Sequence, residues 1–564
     1  MLPSWIPGSY LLREFARHVV AIEASDAAGP VALEQTAKGS WMATGASGVL
    51  SVRLTAYAFD FSVRGAWLDR ERAFFNGTSL FLLPEGRESE PVELEVERPA
   101  FAQATDWHVA TAMPAIAVDA AGFGRYQAAD YDELIDHPFE IGVHTTVEFK
   151  AAGVPHRFVI AGRHDADTDR LATDLAQLCT AQIDFFGRPA PFERYAFLGL
   201  AVGNGYGGLE HRDSSSLIFK RTDLPKPGES GVPRDYQRLL GLVSHEYFHN
   251  WHVKRSKPAA FVPYRLDRRN HTRLLWVFEG ITSYYQELFL IRSGLLGREA
   301  LFRRLGETLT RVYRVPGRRR QNLADSSFNA WDQLYKPDAN SINAVISYYS
   351  KGALVALALD LKLRAAGTGS LDTIVRALWQ RYGSRGEGLP EDGFEALAVE
   401  TGGEDLREFF AAAIRGREDP DLASLFAPFG IRFRLRQSEG ARDAGGTPPT
   451  LKRTRLSLGA VLEPQVSGLK LASVFDSQPA EAAGLAPGDI IVALDGIQAV
   501  GDTLEDRLGR YDEGDEIVVS YFRSDLLGET RLTLAAAPAD TCYLEPDPAP
   551  PPAAAALSRA WLGD

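Results

Sequence analysis

Two histidines and a glutamate in the middle of the chain have the spacing of a metal-dependent hydrolytic site. His245, Glu246 and His249 form the pattern H-E-x-x-H. On a helix, residues i and i+4 lie on one face, so both imidazoles can bind a single cation. Glu246 is rotated away from that face, toward the position of a metal-activated water, and can accept a proton there. The pattern therefore predicts a metal site with Glu246 as the general base.

A metal site of this kind needs a third protein ligand. Glu279 is the preferred candidate because it follows an apolar run, and a carboxylate in such surroundings needs a partner such as zinc. His271 and Asp267 are alternatives, although their segment reads as a solvated connection. His252 lies at i+7 from His245, about 10.5 Å along a straight helix, which is too far for the same ion.

The elements expected to position these residues are mostly helical. Residues 236–251 have apolar residues behind the two histidines and are predicted to form a buried helix. Residues 342–364 also have helical spacing, whereas 196–202 reads as a strand. Upstream, residues 15–160 alternate and turn like a β domain that ends with a hairpin over 144–161.

The composition excludes several classes of protein. The chain has 564 residues, enough for three or four domains with full cores. Its net charge of −13 argues against a nucleic-acid-binding protein and against a surface that seeks anionic lipid. Only two cysteines are present, which excludes a disulfide scaffold and a four-cysteine zinc site. No apolar run is long enough for a transmembrane helix.

Six segments together carry a family resemblance. The metal pattern lies in residues 245–255, the motif Phe-Glu-Gly-Ile-Thr-Ser-Tyr-Tyr at 278–285 and the motif Tyr-Tyr-Ser-Lys-Gly at 348–352. Three further matches lie at residues 5–10, 131–136 and 207–211. In combination they resemble the glycyl aminopeptidase family of gluzincin metallopeptidases. The resemblance runs over nearly the whole chain.

The resemblance implies a zinc site and its catalytic base. His245, His249 and Glu279 would bind Zn²⁺ as the cofactor, and Glu246 would act as the general base. These residues match the family motifs one by one. The implied reaction is hydrolysis of a peptide bond by a water that the metal activates.

The resemblance also implies substrate-binding residues. Tyr349 would donate a hydrogen bond to the tetrahedral oxyanion, with the adjacent Tyr348 as the competing choice. Gly207 and Gly208 would lie along the substrate backbone, and Glu210 would hold the substrate α-amino group. Related aminopeptidases have Gly-Ala-Met-Glu-Asn where this chain has Gly-Gly-Leu-Glu-His, so an endopeptidase remains an alternative to an aminopeptidase.

A compact unit near the C-terminus resembles a PDZ domain. Residues 479–491 read Pro-Ala-Glu-Ala-Ala-Gly-Leu-Ala-Pro-Gly-Asp-Ile-Ile. In this interpretation Gly484 ends the first helix, residues 503–510 form the second, and the loop 457–460 binds a peptide carboxylate. PDZ domains bind peptides by adding a strand to a sheet edge, so a peptide C-terminus is the expected partner. A purely structural cap is the alternative.

The predicted fold is multidomain α+β. An N-terminal β domain, expected to be short at its start, covers residues 1–163. A thermolysin-like catalytic domain with a mixed sheet and a helical half covers 164–436. A linker at 437–452 leads to the PDZ domain at 453–540, and residues 541–564 are expected to be a flexible tail. No signal peptide is visible, and a cytoplasmic or periplasmic location is expected.

The predicted function is that of a zinc-dependent peptidase acting on peptides. The resemblance implies an aminopeptidase that releases small N-terminal residues such as Gly and Ala. A zinc endopeptidase is one alternative. A PDZ-based peptide-binding adaptor with an inactive peptidase body is the other, but the intact H-E-x-x-H pattern, Glu279 and Tyr349 argue against it.

Overall fold

The structure is a computed structural model, and it describes residues 1–101, 105–450 and 453–563. The chain forms two compact units. The first contains Met1–Thr272, Leu288–Leu296 and Val375–Gly393, and the second contains Arg273–Glu287, Gly297–Ile374 and Phe394–Asp564. None of the described helices is long and apolar enough to cross a membrane.

The first unit begins with the predicted β-rich region. Its elements are β1 (Val19–Asp26), β2 (Gly29–Ala37), β3 (Ser40–Thr44), β4 (Ser51–Ala56), β5 (Ala66–Leu68), β6 (Arg72–Phe75), β7 (Val92–Val96), β8 (His108–Ala110), β9 (Ala115–Val118), β10 (Gly124–Ala128), α1 (Tyr131–Ile135) and β11 (Phe139–Gly142). The strands form three small sheets with the orders β3-β2-β1-β4, β7-β10-β9 and β5-β6-β11-β8. Asp130 caps the N-terminus of helix α1, since its side chain accepts a hydrogen bond from the Glu133 N–H at 2.7 Å.

The next elements build the sheet that carries Gly207, Gly208 and Glu210. They are β12 (His144–Ala151), β13 (Val154–Ala161), α2 (Thr168–Phe186), β14 (Tyr195–Val202), β15 (Gly207–Glu210), β16 (Ser214–Lys220) and α3 (Arg234–Phe248). The sheet order is β12-β13-β14-β16-β15, so β15 lies at an edge. Strands β13, β14 and β16 run parallel, while β12 and β15 are antiparallel to their neighbours.

The predicted boundary at residue 163 falls inside this sheet. The hairpin formed by β12 and β13 exists as predicted, but β13 pairs with β14, with Phe158 opposite Phe197. The hairpin is therefore part of the five-stranded sheet that also contains β15. Two-residue periodicity identifies a strand but does not identify its neighbour in the sheet.

Helix α3 is buried on nearly every side. Leu239, Leu240 and Val243 are completely buried, which gives the helix the apolar backing that its sequence predicted. It starts and ends slightly earlier than the predicted 236–251. A buried amide ties it to α2, since Gln182 Nε2 donates to the Ser244 carbonyl oxygen and Oγ, both at 3.0 Å. The residue next to His245 is thus fixed by packing and by hydrogen bonds.

The helical half follows, with its elements divided between the two units. They are β17 (Lys257–Pro258), α4 (Ile281–Arg292), α5 (Arg298–Tyr313), α6 (Leu323–Phe328), α7 (Ser341–Ala344), α8 (Ser350–Ala366), α9 (Leu371–Arg381), β18 (Gly388–Leu389), α10 (Gly393–Gly402), α11 (Leu406–Phe410), α12 (Leu422–Phe426) and β19 (Ile431–Arg436). The single helix predicted over 342–364 is wrong, since the chain leaves the helix after Ala344 and re-enters it at Ser350.

The PDZ fold lies in the second unit. Its elements are β20 (Leu456–Ser457), β21 (Ala460–Gln465), β22 (Gly468–Val474), α13 (Pro479–Ala482), β23 (Ile490–Leu494), β24 (Ile497–Gln498), α14 (Gly501–Leu508), β25 (Glu516–Arg523), β26 (Leu526–Thr533) and β27 (Ala535–Ala536). The sheet order β21-β22-β23-β25-β26 leaves β21 at an edge. Gly484 has φ +73°, as expected for a glycine that ends a helix.

The described segments on either side of the PDZ fold are ordered, and the order of the C-terminal one contradicts the predicted flexible tail. The described part of the predicted linker packs against neighbouring residues, since Asp443 accepts hydrogen bonds from the Arg436 guanidinium and from the Glu439 N–H. The predicted flexible tail contains β28 (Thr541–Pro546) and α15 (Ala554–Leu562). Strand β28 pairs with β19, and Trp561 is completely buried, donating a hydrogen bond to the Tyr284 hydroxyl at 2.7 Å.

Candidate metal centre

The two histidines of the H-E-x-x-H pattern point their ring nitrogens at one place. His245 Nε2 and His249 Nε2 are 3.0 Å apart, with the rings at 87° to each other. Two imidazole nitrogens that bind one tetrahedral Zn²⁺ at 2.0–2.1 Å would lie about 3.3 Å apart. The pair therefore has the separation that a shared zinc ion requires.

The tautomer of His249 is set by the turn that follows α3. Its Nδ1 lies 2.8 Å from the backbone carbonyl oxygen of His252. A carbonyl only accepts, so Nδ1 must carry the proton, and Nε2 of the neutral ring presents a lone pair. Histidines that bind metals are commonly oriented by such a hydrogen bond from the ring nitrogen that does not bind the metal. His252, set aside above as a ligand, thus contributes through its main chain.

Glu246, the predicted general base, lies against the edge strand β15. A Cβ atom at Gly208 of β15 would overlap the carboxylate of Glu246, so the bare glycine leaves the space that this side chain occupies. Glu246 is 5% exposed. A glycine at position 208 is therefore required for Glu246 to keep this position.

Glu210 reaches the same place from the end of β15. Ligand atoms of Glu210, Glu246 and His249 all lie within 4.8 Å of one another. Gly8, from the Trp-Ile-Pro-Gly-Ser-Tyr segment, has φ +92°, and a Cβ there would come within 2.5 Å of Glu210 Oε1. Glycine at position 8 thus gives room for the Glu210 carboxylate, which is 4% exposed.

Asp136 joins the segment after β15 to the segment after α3. Its carboxylate accepts hydrogen bonds from His211 Nδ1 at 3.2 Å, the Arg212 N–H at 3.0 Å and Arg212 Nε at 2.8 Å, and lies 2.7 Å from Lys254 Nζ. Burial alone would raise the pKa of Asp136, but Lys254 and Arg212 outweigh it and hold this pKa well below its usual range. A buried anion therefore fixes both segments beside the site.

Replacing Asp136 with Asn is expected to lower the free energy of unfolding by about 3–5 kcal/mol, because the buried Lys254 loses its counter-charge. Urea denaturation measures this difference. The matched control is Asp132→Asn, which removes a half-exposed carboxylate paired with the same Arg212 and is expected to cost at most about 1 kcal/mol. Equal effects of the two substitutions would contradict the role given to Asp136.

The difference in stability between wild type and Asp136→Asn is expected to depend on pH. Folding lowers the pKa of Asp136, so its carboxylate contributes fully to the free energy of unfolding above the pKa of an unfolded aspartate, about 3.9. That contribution is lost as the pH falls through the pKa of Asp136 in the folded protein. The stabilities of wild type and Asp136→Asn should therefore converge on acidification below about pH 4.

Glu279 lies in the second unit, in a π-helical turn. The turn covers Trp276–Gly280 and leads directly into α4. Glu279 is 2% exposed, as its apolar sequence context predicted. Gly280 packs against Gly352 at the start of α8, where a Cβ would come within 2.5 Å of the Gly352 Cα. Inserted π turns of this kind occur frequently at functional sites.

The two candidate tyrosines precede α8. Tyr348 is completely buried, whereas Tyr349 is half-buried and its ring stacks on that of Tyr348 with centroids 4.6 Å apart. The Tyr335 hydroxyl lies 2.8 Å from the Tyr349 hydroxyl and 3.2 Å from that of Tyr348. The break between α7 and α8 thus contains Tyr348 and Tyr349, and it lies beside Tyr335 from the segment before α7.

The alternative third ligands do not take part in a possible metal group. In the described part of the chain, neither Asp267 nor His271 belongs to a group of three His, Cys, Asp or Glu side chains close enough to share an ion. Asp267 instead forms an ion pair with Arg268 at 2.6 Å on the surface.

The structure gives roles to four residues for which the sequence predicted none. Gly8 and Asp136 fall inside segments that carried the family resemblance, although no role was predicted for either. The carbonyl of His252 and the phenol of Tyr335 belong to no motif used above. Their contributions depend on distances that a sequence pattern does not contain.

Comparison with known proteins decides the family. Models of the Peptidase M61 N-terminal domain and of the M61 glycyl aminopeptidase match residues 1–143 and 238–355. The crystal structure of an aminopeptidase N family protein from Idiomarina loihiensis is 37% identical, covers 100% of this chain and 94% of its own, and superposes with a TM-score of 0.95. The chain belongs to the M61 glycyl aminopeptidase family. It is therefore a metallopeptidase.

Other comparisons describe the rest of this M61 chain. A PDZ domain model matches residues 430–534, which confirms the predicted C-terminal fold. An M1 zinc metallopeptidase from Deinococcus radiodurans is 17% identical, with a TM-score of 0.44 over 72% of this chain and 85% of that one. A search of the curated proteins gave no match.

Proposed function

We propose that this M61 metallopeptidase is a zinc-dependent aminopeptidase that releases small N-terminal residues such as Gly and Ala. The observation that supports it is the closeness of Glu210 to Glu246 and His249, within 4.8 Å. In a peptide, the α-nitrogen is only about 2.5 Å from the carbonyl carbon of its own residue. An ammonium held by Glu210 therefore brings the first peptide bond, rather than a later one, to the catalytic base.

In this proposal His245, His249 and Glu279 bind the metal. The separation and tautomer of the two imidazoles fit Zn²⁺, and a buried carboxylate is a suitable third ligand. When bound, zinc would polarise the scissile carbonyl and lower the pKa of water. A preference for small residues follows the family's description as glycyl aminopeptidases.

The remaining steps belong to side chains of this protein. Glu246 accepts a proton from the attacking water and returns it to the leaving amine. Tyr349 donates a hydrogen bond to the oxyanion, and its partial exposure favours it over the completely buried Tyr348. Glu210 holds the ammonium, while Gly207 and Gly208 let the substrate backbone approach β15.

A panel of free and blocked peptides tests the proposal. We expect Ala-Ala-Ala to lose its first residue and N-acetyl-Ala-Ala-Ala to be resistant, because the blocked nitrogen has no charge for Glu210 to bind. Mass spectrometry of the products, with and without chelator, measures both reactions. Cleavage of the blocked peptide at a similar rate would favour the endopeptidase alternative instead. Chelator-resistant cleavage would contradict the metal requirement.

We propose that the PDZ domain binds a peptide C-terminus between β21 and α14. Strand β21 lies at a sheet edge and can accept an added strand, and Gly459 in the preceding loop has the left-handed conformation, with φ +75°. Fluorescence anisotropy with a labelled peptide ending in a free carboxylate should show saturable binding that amidation of the peptide weakens. A purely structural domain would bind neither form.

A further inference from the structure

An arginine from the N-terminal β region lies beside the edge strand. Arg64 Nη2 donates to the Gly208 carbonyl oxygen at 3.2 Å, and Nη1 lies 3.9 Å from the position that a Cβ on Gly207 would take. The guanidinium therefore borders the two glycines along which the substrate is proposed to lie. Neither a motif nor the proposed mechanism accounts for it.

The charge of Arg64 is not matched by an acid. Over residues 1–101, 105–450 and 453–563, Arg64 forms no ion pair, and its buried Nε donates to no acceptor. A buried donor without an acceptor is costly, so its presence needs an explanation. An anionic ligand at the partly exposed guanidinium would supply the missing opposite charge.

The backbone around Arg64 is fixed in place. The Arg64 N–H donates to Ser62 Oγ at 3.1 Å, and the preceding residue, Val63, is 3% exposed. The carbonyl of Val63 accepts a hydrogen bond from Asn76 Nδ2 at 2.7 Å, and Asn76 is completely buried. Such anchoring reduces the entropy lost when the guanidinium binds a ligand.

The spacing along β15 matches a short substrate. Gly208, which contacts both Arg64 and Glu246, lies two residues before Glu210, about 7 Å along the strand. With its ammonium at Glu210 and its first peptide bond at Glu246, a substrate runs from Glu210 toward Gly208. In an extended dipeptide the terminal carboxylate is about 6 Å from the α-nitrogen. That carboxylate reaches the neighbourhood of Arg64.

We infer that Arg64 binds the C-terminal carboxylate of the substrate, and that dipeptides with a free carboxylate are the preferred substrates. The inference rests on the proposed aminopeptidase function. The carboxylate forms charge-assisted hydrogen bonds with the guanidinium, whose planar fork can bind both of its oxygens. Longer peptides place an uncharged amide at the same point and lose this interaction.

Hydrolysis of Ala-Ala and Ala-Ala-NH₂ by wild type and Arg64→Gln tests the inference. Wild type should show a kcat/KM about 10- to 100-fold higher for the free acid, mainly through KM. Arg64→Gln should remove that advantage and leave the amide nearly unchanged, and Arg64→Lys should restore part of it. The matched control is Arg53→Gln, which removes an exposed arginine on β4.

A binding measurement separates this role from a structural one. In the Glu246→Gln background, calorimetry should show that Arg64→Gln weakens Ala-Ala binding and leaves Ala-Ala-NH₂ binding unchanged. Equal losses for both peptides would mean that Arg64 only supports β15, which overturns the inference. Wild type that does not distinguish acid from amide also overturns it but leaves the aminopeptidase proposal intact. Wild type that cleaves Ala-Ala-Ala but neither of these two peptides overturns the inference alone, and wild type that cleaves none of the three overturns both.

Discussion

Replacing Glu246 with Gln is expected to lower kcat about 10³-fold while the protein keeps its metal. The amide cannot accept the proton of the attacking water, but it has nearly the same size and occupies the space beside Gly208. His245 and His249 are untouched, so the metal content should stay near that of wild type. Steady-state kinetics on a free peptide and elemental analysis of the same sample measure the two quantities.

Two further variants make this result interpretable. Glu148→Gln introduces the same change at an exposed position of β12 and should leave kcat unchanged. His245→Ala should lose both activity and metal, because one of the paired imidazoles is removed. A Glu246→Gln protein that cleaves peptides at the wild-type rate would show that another group is the base.

Replacing Gly208 with Ala is expected to lower kcat about 100-fold. The added methyl group overlaps the Glu246 carboxylate, so either the base or the edge strand must move, and small displacements of a reacting group have large effects on rate. Circular dichroism should show an unchanged fold, because the collision involves one side chain at a sheet edge. Kinetics on the same free peptide measure the loss.

Gly203→Ala is the matched control for this substitution. Gly203 lies between β14 and β15, and a Cβ there would meet no atom within 4 Å. The control should retain wild-type kcat, since it adds the same methyl group without touching Glu246. If both alanine variants lose activity equally, the cause is general stiffening of the segment rather than displacement of the base.

The paired histidines and the glutamate next to the first of them could be recognised from the sequence, because these three residues lie close together in the chain. His245 and Glu246 lie on α3 and His249 caps its C-terminal end, so helical geometry determines which of the three share a face. The PDZ fold was predictable for a similar reason, since its glycine at position 484 ends a helix in the way that the motif requires.

Contacts between distant residues could not be predicted in the same way. Asp136 meets His211 and Lys254 across 75 and more residues of chain, and no periodicity encodes that meeting. The C-terminal segment rich in proline and alanine was predicted to be flexible from its composition. It is ordered because Trp561 fills a space that Tyr284 and its neighbours provide. Tertiary packing, rather than local composition, therefore determines that this segment is ordered.

The pairing of β19 with β28 has a consequence for deletion experiments. Everything between Arg436 and Thr541 is inserted between two partner strands, and these two residues lie opposite each other at the end of the ladder. Cutting the chain after Arg436 would remove a strand and the buried Trp561 along with the PDZ fold. An internal excision that joins the two strands through a short turn would isolate the contribution of the PDZ domain.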